Sequence, residues 1–516
     1  MPSDSAVELP ELPENIDAAV LKIAGVVVLG AIMSILDITV VNVALPTFQT
    51  AFGSLAHPIA YSTVAWAVTG YTLALATVIP LTGWAADRFG TKRLYMTAIA
   101  CFVTGSVLCS AAWSIGALIV FRVLQGLGGG MLMPLGMTIM TRAAGPHRMG
   151  RLMAILGVPM LLGPILGPIL GGWLIQVGNW HWIFLINAPI GVLAFVYAWR
   201  VLARDTATRS ESFDFLGMAL MSPGLALFLF GVSSIPTEGT VAAPRVWVSM
   251  LVGALLMVAF VIHSFRPAHP LLDLRLFKNR NLTVTIITML LFAAAFFGGL
   301  LLVPTYFQEV RGQSTLHAGL LVAPQGLGAM ITMPLAGSQV DKHPIGRIVP
   351  FGLVFILIGM FGLTQLTSTT PYPMITAELF VMGLGMGATM MPLFTSALKN
   401  LRPHEVARGS TLLNINQQIA SSAGVAIMSV LLTSHLQASE FAGRAMASLR
   451  DPAVAGKMSP AEISAGLADA GHAFAHTYWV AWAMVLVTLV PALLLPRRRE
   501  EPRTLDDEQS PPAVLH

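Results

Sequence analysis

The chain has 516 residues, of which 55% are hydrophobic and only 10% charged, with a formal net charge of +4. An ordinary soluble protein is about 25% charged, so a water-facing surface cannot be built from this composition and lipid must solvate much of the chain. No block of basic and aromatic residues suggests nucleic-acid binding. No Gly-x-x-x-x-Gly-Lys-Ser/Thr loop suggests an ATP-driven pump, and no catalytic constellation suggests an enzyme.

The N-terminal tail, 1–19, carries Asp4, Glu8, Glu11, Glu14 and Asp17 ahead of its first base, which is unlike the positive start of a secretory signal. Beyond it, fourteen runs reach the roughly 20 apolar residues that a bilayer crossing needs. They lie near 20–44, 61–82, 94–113, 116–140, 152–176, 182–202, 214–236, 247–265, 282–306, 316–337, 348–366, 375–397, 410–433 and 476–496. Most connections are short; the exception is a polar stretch at 434–475 with Arg444, Arg450 and Lys457. Cys101 and Cys109 share one span, about 12 Å apart along a helix, too far for a disulfide and better read as packing residues. His472 and His476 are four apart without further ligands, so no metal site or other cofactor is expected.

Orientation follows from the bases. With the N-terminus in the cytoplasm, inside loops hold 22 Lys and Arg and outside loops 5, with Lys22 and Arg122 left in the spans. That bias places both termini inside and requires an even number of spans.

An internal repeat supports the count. Pro80-Leu81-Thr82-Gly83 leads to Asp87-Arg88 and Gly90; Pro334-Leu335-Ala336-Gly337 leads to Asp341-Lys342 and Gly346-Arg347. Both the glycines (337 − 83) and the acids (341 − 87) are 254 residues apart. Residues 20–205 then form one six-helix bundle and 282–496 a second, with 434–475 as its outer loop. Residues 206–281 are an inserted, peripheral helix pair with linkers, and 497–516 a cytoplasmic tail. Two halves with internal repeats fit a transporter.

The loop Gly83-Trp-Ala-Ala-Asp87-Arg88-Phe-Gly90-Thr-Lys92-Arg93 reverses the chain tightly between two spans. Asp87 can meet bases or a helix N-terminus in one conformation and release them in another. The plain alternative is a basic turn. Gly163, Gly167 and Gly171 recur every four residues and let a neighbouring helix come close. Pro164 and Pro168 between them remove backbone donors and bend the helix. The stripe reads either as packing or as a hinge.

These motifs carry a resemblance that covers nearly the whole chain. The 83–93 loop resembles that of the major facilitator superfamily, and more narrowly the fourteen-span drug:proton antiporters of the EmrB/QacA type. Leu36-Asp37-Ile-Thr39-Val-Val-Asn42 in the first span matches that branch, as do Arg122-Val-Leu-Gln125-Gly126-Leu-Gly128 and Trp-His-Trp-Ile-Phe-Leu-Ile-Asn at 180–187. The run Gly163-Pro164-Ile-Leu-Gly167-Pro168-Ile-Leu-Gly171-Gly172 is similar to the pattern linked with antiport. The resemblance implies an all-α major facilitator fold of fourteen transmembrane helices in a bacterial cytoplasmic membrane. It implies a monomer that exchanges protons for amphipathic drug-like or hydrophobic small molecules. A dedicated exporter of one lipid, siderophore or secondary metabolite fits the same pattern, and a non-transporting sensor fits it less well. On this reading Gly83, Asp87, Arg88, Gly90, Arg93 and Asp341 gate the conformational change.

Asp37 and Arg122 are the ionisable residues deepest in the spans. Each lies about 7–8 Å outside the midplane at 1.5 Å rise per residue, so they can pair directly or through water. A charge at such depth costs roughly 2.5–3.5 kcal/mol and needs a partner or a cavity. Burial opposes charge on Asp37 and Arg122 favours it, which makes Asp37 the candidate proton carrier; a static salt bridge is the alternative. Substrate-cavity candidates are Asn42, Trp66, Gln125, Met133, Phe292, Phe296, Glu309, Met390, Phe394, Asn414 and Gln417. Aromatics and flexible thioethers suit varied apolar ligands.

Overall fold

In the computed structural model the described residues are 17–53, 59, 61–144, 148–203, 213–238, 240–267, 270–272, 274–399, 401, 405–449 and 452–497. Most of both expected tails, 1–16 and 498–516, lies outside them. The apolar runs form helices in chain order: α1 (Ala18–Ala51), α2 (Tyr61–Phe89), α3 (Thr91–Ser110), α4 (Ile115–Ala144), α5 (Met149–Val177), α6 (Trp182–Leu185) and α7 (Asn187–Val201). The inserted pair is α8 (Phe215–Glu238) and α9 (Pro244–Ser264). Then come α10 (Arg280–Glu309), α11 (Thr315–Lys342), α12 (Ile345–Leu363), α13 (Tyr372–Lys399) and α14 (Val406–Gln437). The chain ends with α15 (Ala442–Ser448), α16 (Pro452–Ala455) and α17 (Pro460–Leu493). Among the described residues 13 helices are long and apolar enough to cross a membrane, and α5, with 29 residues, lies between the fourth and fifth of them.

Local chemistry sets several helix ends. Asp17 caps α1 by accepting the Val20 N–H, and Ser314 caps α11. The Val20 bond, with Arg148 nearby, holds the Asp17 carboxyl below its ordinary value. Gly90, at φ 85°, makes the turn between α2 and α3, a backbone region that disfavours side chains. Within the stretch 434–475, expected as an outer connection, the described residues are largely helical. α14 runs on to Gln437, α15 and α16 follow, and α17 starts at Pro460 behind a Ser459–Glu462 capping box. Polar composition marked this stretch as leaving the membrane and said little about its helicity.

α1 packs on α5, α4 and α7; α2 and α3 pack on α4. The later helices repeat the plan, α10 against α14 and α17, and α11 and α12 against α13. The repeat extends to individual close approaches. A Cβ built on Gly83 would lie 3.3 Å from Ala407 O on α14; one on Gly337 would lie 2.5 Å from Gly150 O on α5. Gly105 meets Gln125 as Gly359 meets Met382, and Gly128 meets Phe102 as Gly385 meets Ile356. Small residues recur at these points because the helix backbones touch there.

The two sets of helices join through α5–α11, α2–α14, α4–α14 and α5–α13. The joining contacts lie toward the face bearing the short basic loops, here the basic face. Thr138 Oγ1 and Ser410 Oγ are 2.9 Å apart, and Asn414 Nδ2 reaches Met137 Sδ at 3.4 Å. The inserted pair is less peripheral than its composition suggested: α8 touches both α2 and α14, burying Leu225 and Leu229 with Ile79 and Ile415. Asp214 anchors its base, accepting from the Gly217 and Leu271 N–H groups and standing 2.7 Å from His263 Nε2. Burial opposes charge on Asp214, but these partners outweigh it and hold its carboxyl below the usual value.

Candidate functional site

Asp37 of α1 and Arg122 of α4 come together in the bundle interior, both side chains 0% exposed. Arg122 Nη1 donates to Asp37 Oδ2 and, at 2.8 Å, to Gln125 Oε1. Gln125 Nε2 donates to Asp37 Oδ1 at 2.8 Å, one helical turn below Arg122. Asn187 Nδ2 approaches the same Oδ1 at 3.3 Å and Ser106 Oγ at 3.1 Å. Ser106 in turn donates to the Phe184 carbonyl at 2.9 Å, where α6 gives way to α7. Arg122 Nε donates to Ala67 O at 2.9 Å, and the Tyr71 ring lies 4.1 Å from the guanidinium carbon.

Three N–H donors converge on Asp37, and charge-assisted bonds of this type are about twice as strong as neutral ones. A buried ion pair repays its desolvation only when the remaining lone pairs are satisfied in this way. Arg122 Nη2 has no partner among the described residues. Gln125 is therefore corrected from cavity lining to a fully buried ligand of the carboxylate. Asn187 and Ser106 were missed as site residues. The available signal was a polar side chain inside an apolar span, which bilayers tolerate only with a partner.

The glycine stripe of α5 lies on α1 at the level of Asp37. A Cβ on Gly163 would collide with Ile35, one on Gly167 with Thr39, and one on Gly171 would stand 3.1 Å from Val40. Thr39 Oγ1 donates to Gly163 O at 3.1 Å. Gly172 faces open space, and the side chains of Pro164 and Pro168 lie outside those described.

At the basic face Asp87 stands 3.5 Å from Arg142 of α4, and Arg142 donates to Thr91 Oγ1 at 2.7 Å. Arg88 and Arg93 are exposed. Lys92 instead donates to Trp199 O at 2.7 Å and to Leu202 O, a cation on the C-terminal carbonyls of α7. Asp341 lies in the last turn of α11, with its side chain outside those described.

The expected cavity residues scatter. Trp66 stacks on Phe230 of α8 at 5.6 Å and lines a groove of about 320 Å³ with Gly70, Ile119 and Val123. Phe292 and Phe296 stack at 5.5 Å and are buried, as are Met390 and Phe394. Asn42 is exposed, Met133, Glu309 and Gln417 are half-buried, and Asn414 is tied to the α4–α14 seam.

Comparison with known proteins finds relatives along nearly the whole chain. The chain is 46% identical to the "Multidrug resistance protein B homolog" of Mycobacterium tuberculosis strain H37Rv, over 95% of this chain and 93% of that one. It is 30% identical to the "Multidrug export protein EmrB" of Escherichia coli K12, over 78% of each chain. Its fold resembles the crystal structure of the human organic anion transporter MFSD10, with TM-score 0.60, 14% identity, and 92% and 100% of the two chains covered. It resembles the proton:xylose symporter XylE equally, with TM-score 0.60, 16% identity, and 93% and 96% covered. The sequence profile of the Major Facilitator Superfamily matches residues 27–425, and the chain, a multi-pass membrane protein, belongs to that superfamily.

Proposed function

We propose that the chain is a proton-coupled antiporter that exports amphipathic drug-like or hydrophobic small molecules by alternating access. The observation that carries this is the sealed Asp37–Arg122–Gln125 cluster, a titratable carboxylate held in an apolar bundle. The multidrug names of the mycobacterial and E. coli relatives support the cargo class. We further propose fourteen spans in a six-two-six plan, with α5 as the fourteenth, and both termini and the basic face in the cytoplasm of a bacterium. The conformation is then closed to the cytoplasm.

The cycle follows from the contacts. In this state three N–H donors, two from α4 and one from α7, meet the Asp37 side chain and clamp α1 to α4 and α7. A proton on Asp37 removes the ionic part of that clamp and frees Arg122. α1 can then move on the smooth face of Gly163, Gly167 and Gly171, and α5 also carries the contact with α11. A shift of α5 breaks the Gly150–Gly337 seam and opens the cytoplasmic side. Conformation, proton and cargo are thereby linked through differential contacts in two states.

Ethidium efflux in inverted vesicles with an imposed pH gradient tests the reading. The unmodified protein should transport, and Asp37→Asn should be inserted and folded yet inactive. Gradient-driven transport by the Asp37→Asn protein at the normal rate would refute the assignment.

A further inference from the structure

The seam at the basic face is sealed by sulfur as well as by backbone. Near its inner end Gly337 of α11 lies on Gly150 of α5. About two turns deeper, Gly157 of α5 presents bare backbone, which two methionines of the other half cover. Met333 of α11 lays its Cε and Sδ there, with Sδ 2.5 Å from where a Cβ on Gly157 would stand. Met391 of α13 adds its Cγ, 3.1 Å from the same point. On the other side of the seam Met137 of α4 accepts the Asn414 Nδ2 hydrogen bond from α14 at 3.4 Å. Met137, Met333 and Met391 are at most 1% exposed. Both cysteines are elsewhere, on α3, which packs on α4, α6 and α7.

In alternating access these contacts part and re-form in every cycle. Methionine suits such a surface, because its unbranched chain and polarisable sulfur repack at little cost. The same sulfur is open to oxidation to the sulfoxide. Its lone pair attacks one oxygen of a hydroperoxide, an S–O bond forms and the O–O bond breaks. The proton of the attacked oxygen passes to the other oxygen, which leaves as water or an alcohol. Sulfur loses two electrons and the peroxide gains them. At Met137 the new oxygen would meet a donor already in place, Asn414 Nδ2. At Met333 no described residue donates to the sulfur, and the Gly157 backbone leaves no room beside it. A polar oxygen buried there has no hydrogen bond to offset its lost hydration, so the closed seam is disfavoured.

We propose that Met333 is an oxidation site that switches the carrier off. A hydroperoxide reaching it from the basic face converts its thioether to the sulfoxide while the seam is open, and the sulfoxide then keeps the seam from closing. The inference rests on the antiport reading and adds its regulation by oxidants. Closed protein is protected, since Met333 is 0% exposed in this state, and cycling protein is not. Sulfoxide reductases reverse the modification and so restore transport.

The test uses the purified full-length protein in liposomes, with hydrogen peroxide as oxidant and ethidium as cargo. Peptide mass spectrometry follows the sulfoxide at Met333 and Met137, and at Met374, which is 50% exposed and serves as reference. In resting protein Met333 should oxidise at least about tenfold more slowly than Met374, and a pH gradient with ethidium should speed Met333 alone. Transport should fall by at least about tenfold as Met333 sulfoxide accumulates, and hydrogen exchange at the inner ends of α5 and α11 should quicken. Methionine sulfoxide reductases A and B should return both to their starting values. Met333→Leu, close in volume to the native residue, should transport before treatment and resist peroxide even with Met137 oxidised. Equal loss in Met333→Leu, loss while Met333 stays reduced, or normal transport by protein carrying Met333 sulfoxide would each overturn the proposal. Should Met333→Leu not fold, reductase treatment of the unmodified protein decides: recovery without reduction of Met333 sulfoxide overturns it. If untreated protein moves no ethidium, the antiport reading fails by itself. Hydrogen exchange then still tests the seam, and Met333 sulfoxide without faster exchange overturns this inference.

Discussion

The strongest energetic claim concerns the Asp37–Arg122 pair, and a double-mutant cycle tests it. Arg122→Leu removes three donated bonds, to Asp37 Oδ2, Gln125 Oε1 and Ala67 O, and strands a carboxylate that is 0% exposed. Breaking a buried pair by removing one partner costs about 3–5 kcal/mol. Asp37→Asn keeps the shape but strands the guanidinium, with a similar loss of about 3–5 kcal/mol. Were the effects independent, the double variant would lose about 6–10 kcal/mol. Because it leaves no uncompensated charge, we expect a loss close to that of one single variant, and a coupling of at least about 2 kcal/mol. Unfolding by SDS in mixed micelles, followed through the ten tryptophans, gives the four stabilities. Losses that add to within about 0.5 kcal/mol would show that the two charges do not act as a pair.

Gly167→Val should loosen α1 from α5, because the added carbons meet Thr39; overpacking of this kind costs about 1–3 kcal/mol. The same unfolding assay checks it, and Thr39→Ala should restore part of the loss. Gly337→Leu should wedge α11 from α5, where Gly150 O leaves no room, and favour the state open at the basic face. A strain of about 1–3 kcal/mol corresponds to a population shift of about 5- to 150-fold, read as faster maleimide labelling of Ser410→Cys, which is buried in the closed seam. Asp214→Asn should destabilise the α8–α9 base by about 0.5–2 kcal/mol at neutral pH, the range for a lost helix cap. Because Asp214 titrates below its ordinary value of 3.8 when folded, its stabilisation is complete above that pH and is lost as the pH falls through the folded value. Unfolding midpoints of the two proteins should therefore converge on acidification.

The spans were legible in the sequence because the bilayer imposes a length and an apolar composition that leave few alternatives. Thus α1–α4 and α7–α14 appear where hydropathy placed them, and the glycine repeat pointed to contacts that the fold makes twice. That Asp37 and Arg122 could meet was also legible, since helix rise converts sequence position into relative height along the bundle. Hydropathy reports only whether a residue leaves water, however, not which neighbour receives it. It could not show that Gln125 and Asn187 turn toward Asp37, that Trp66 turns toward α8, or that α8 spans both halves. Nor could it recognise that 434–475 is largely helical, because capping and packing decide helicity outside the membrane. Which face each helix presents, and so which polar groups meet, was decided only by the tertiary packing: a rotation of one residue, about 100°, takes a side chain from lipid to the interior at almost no change in hydropathy.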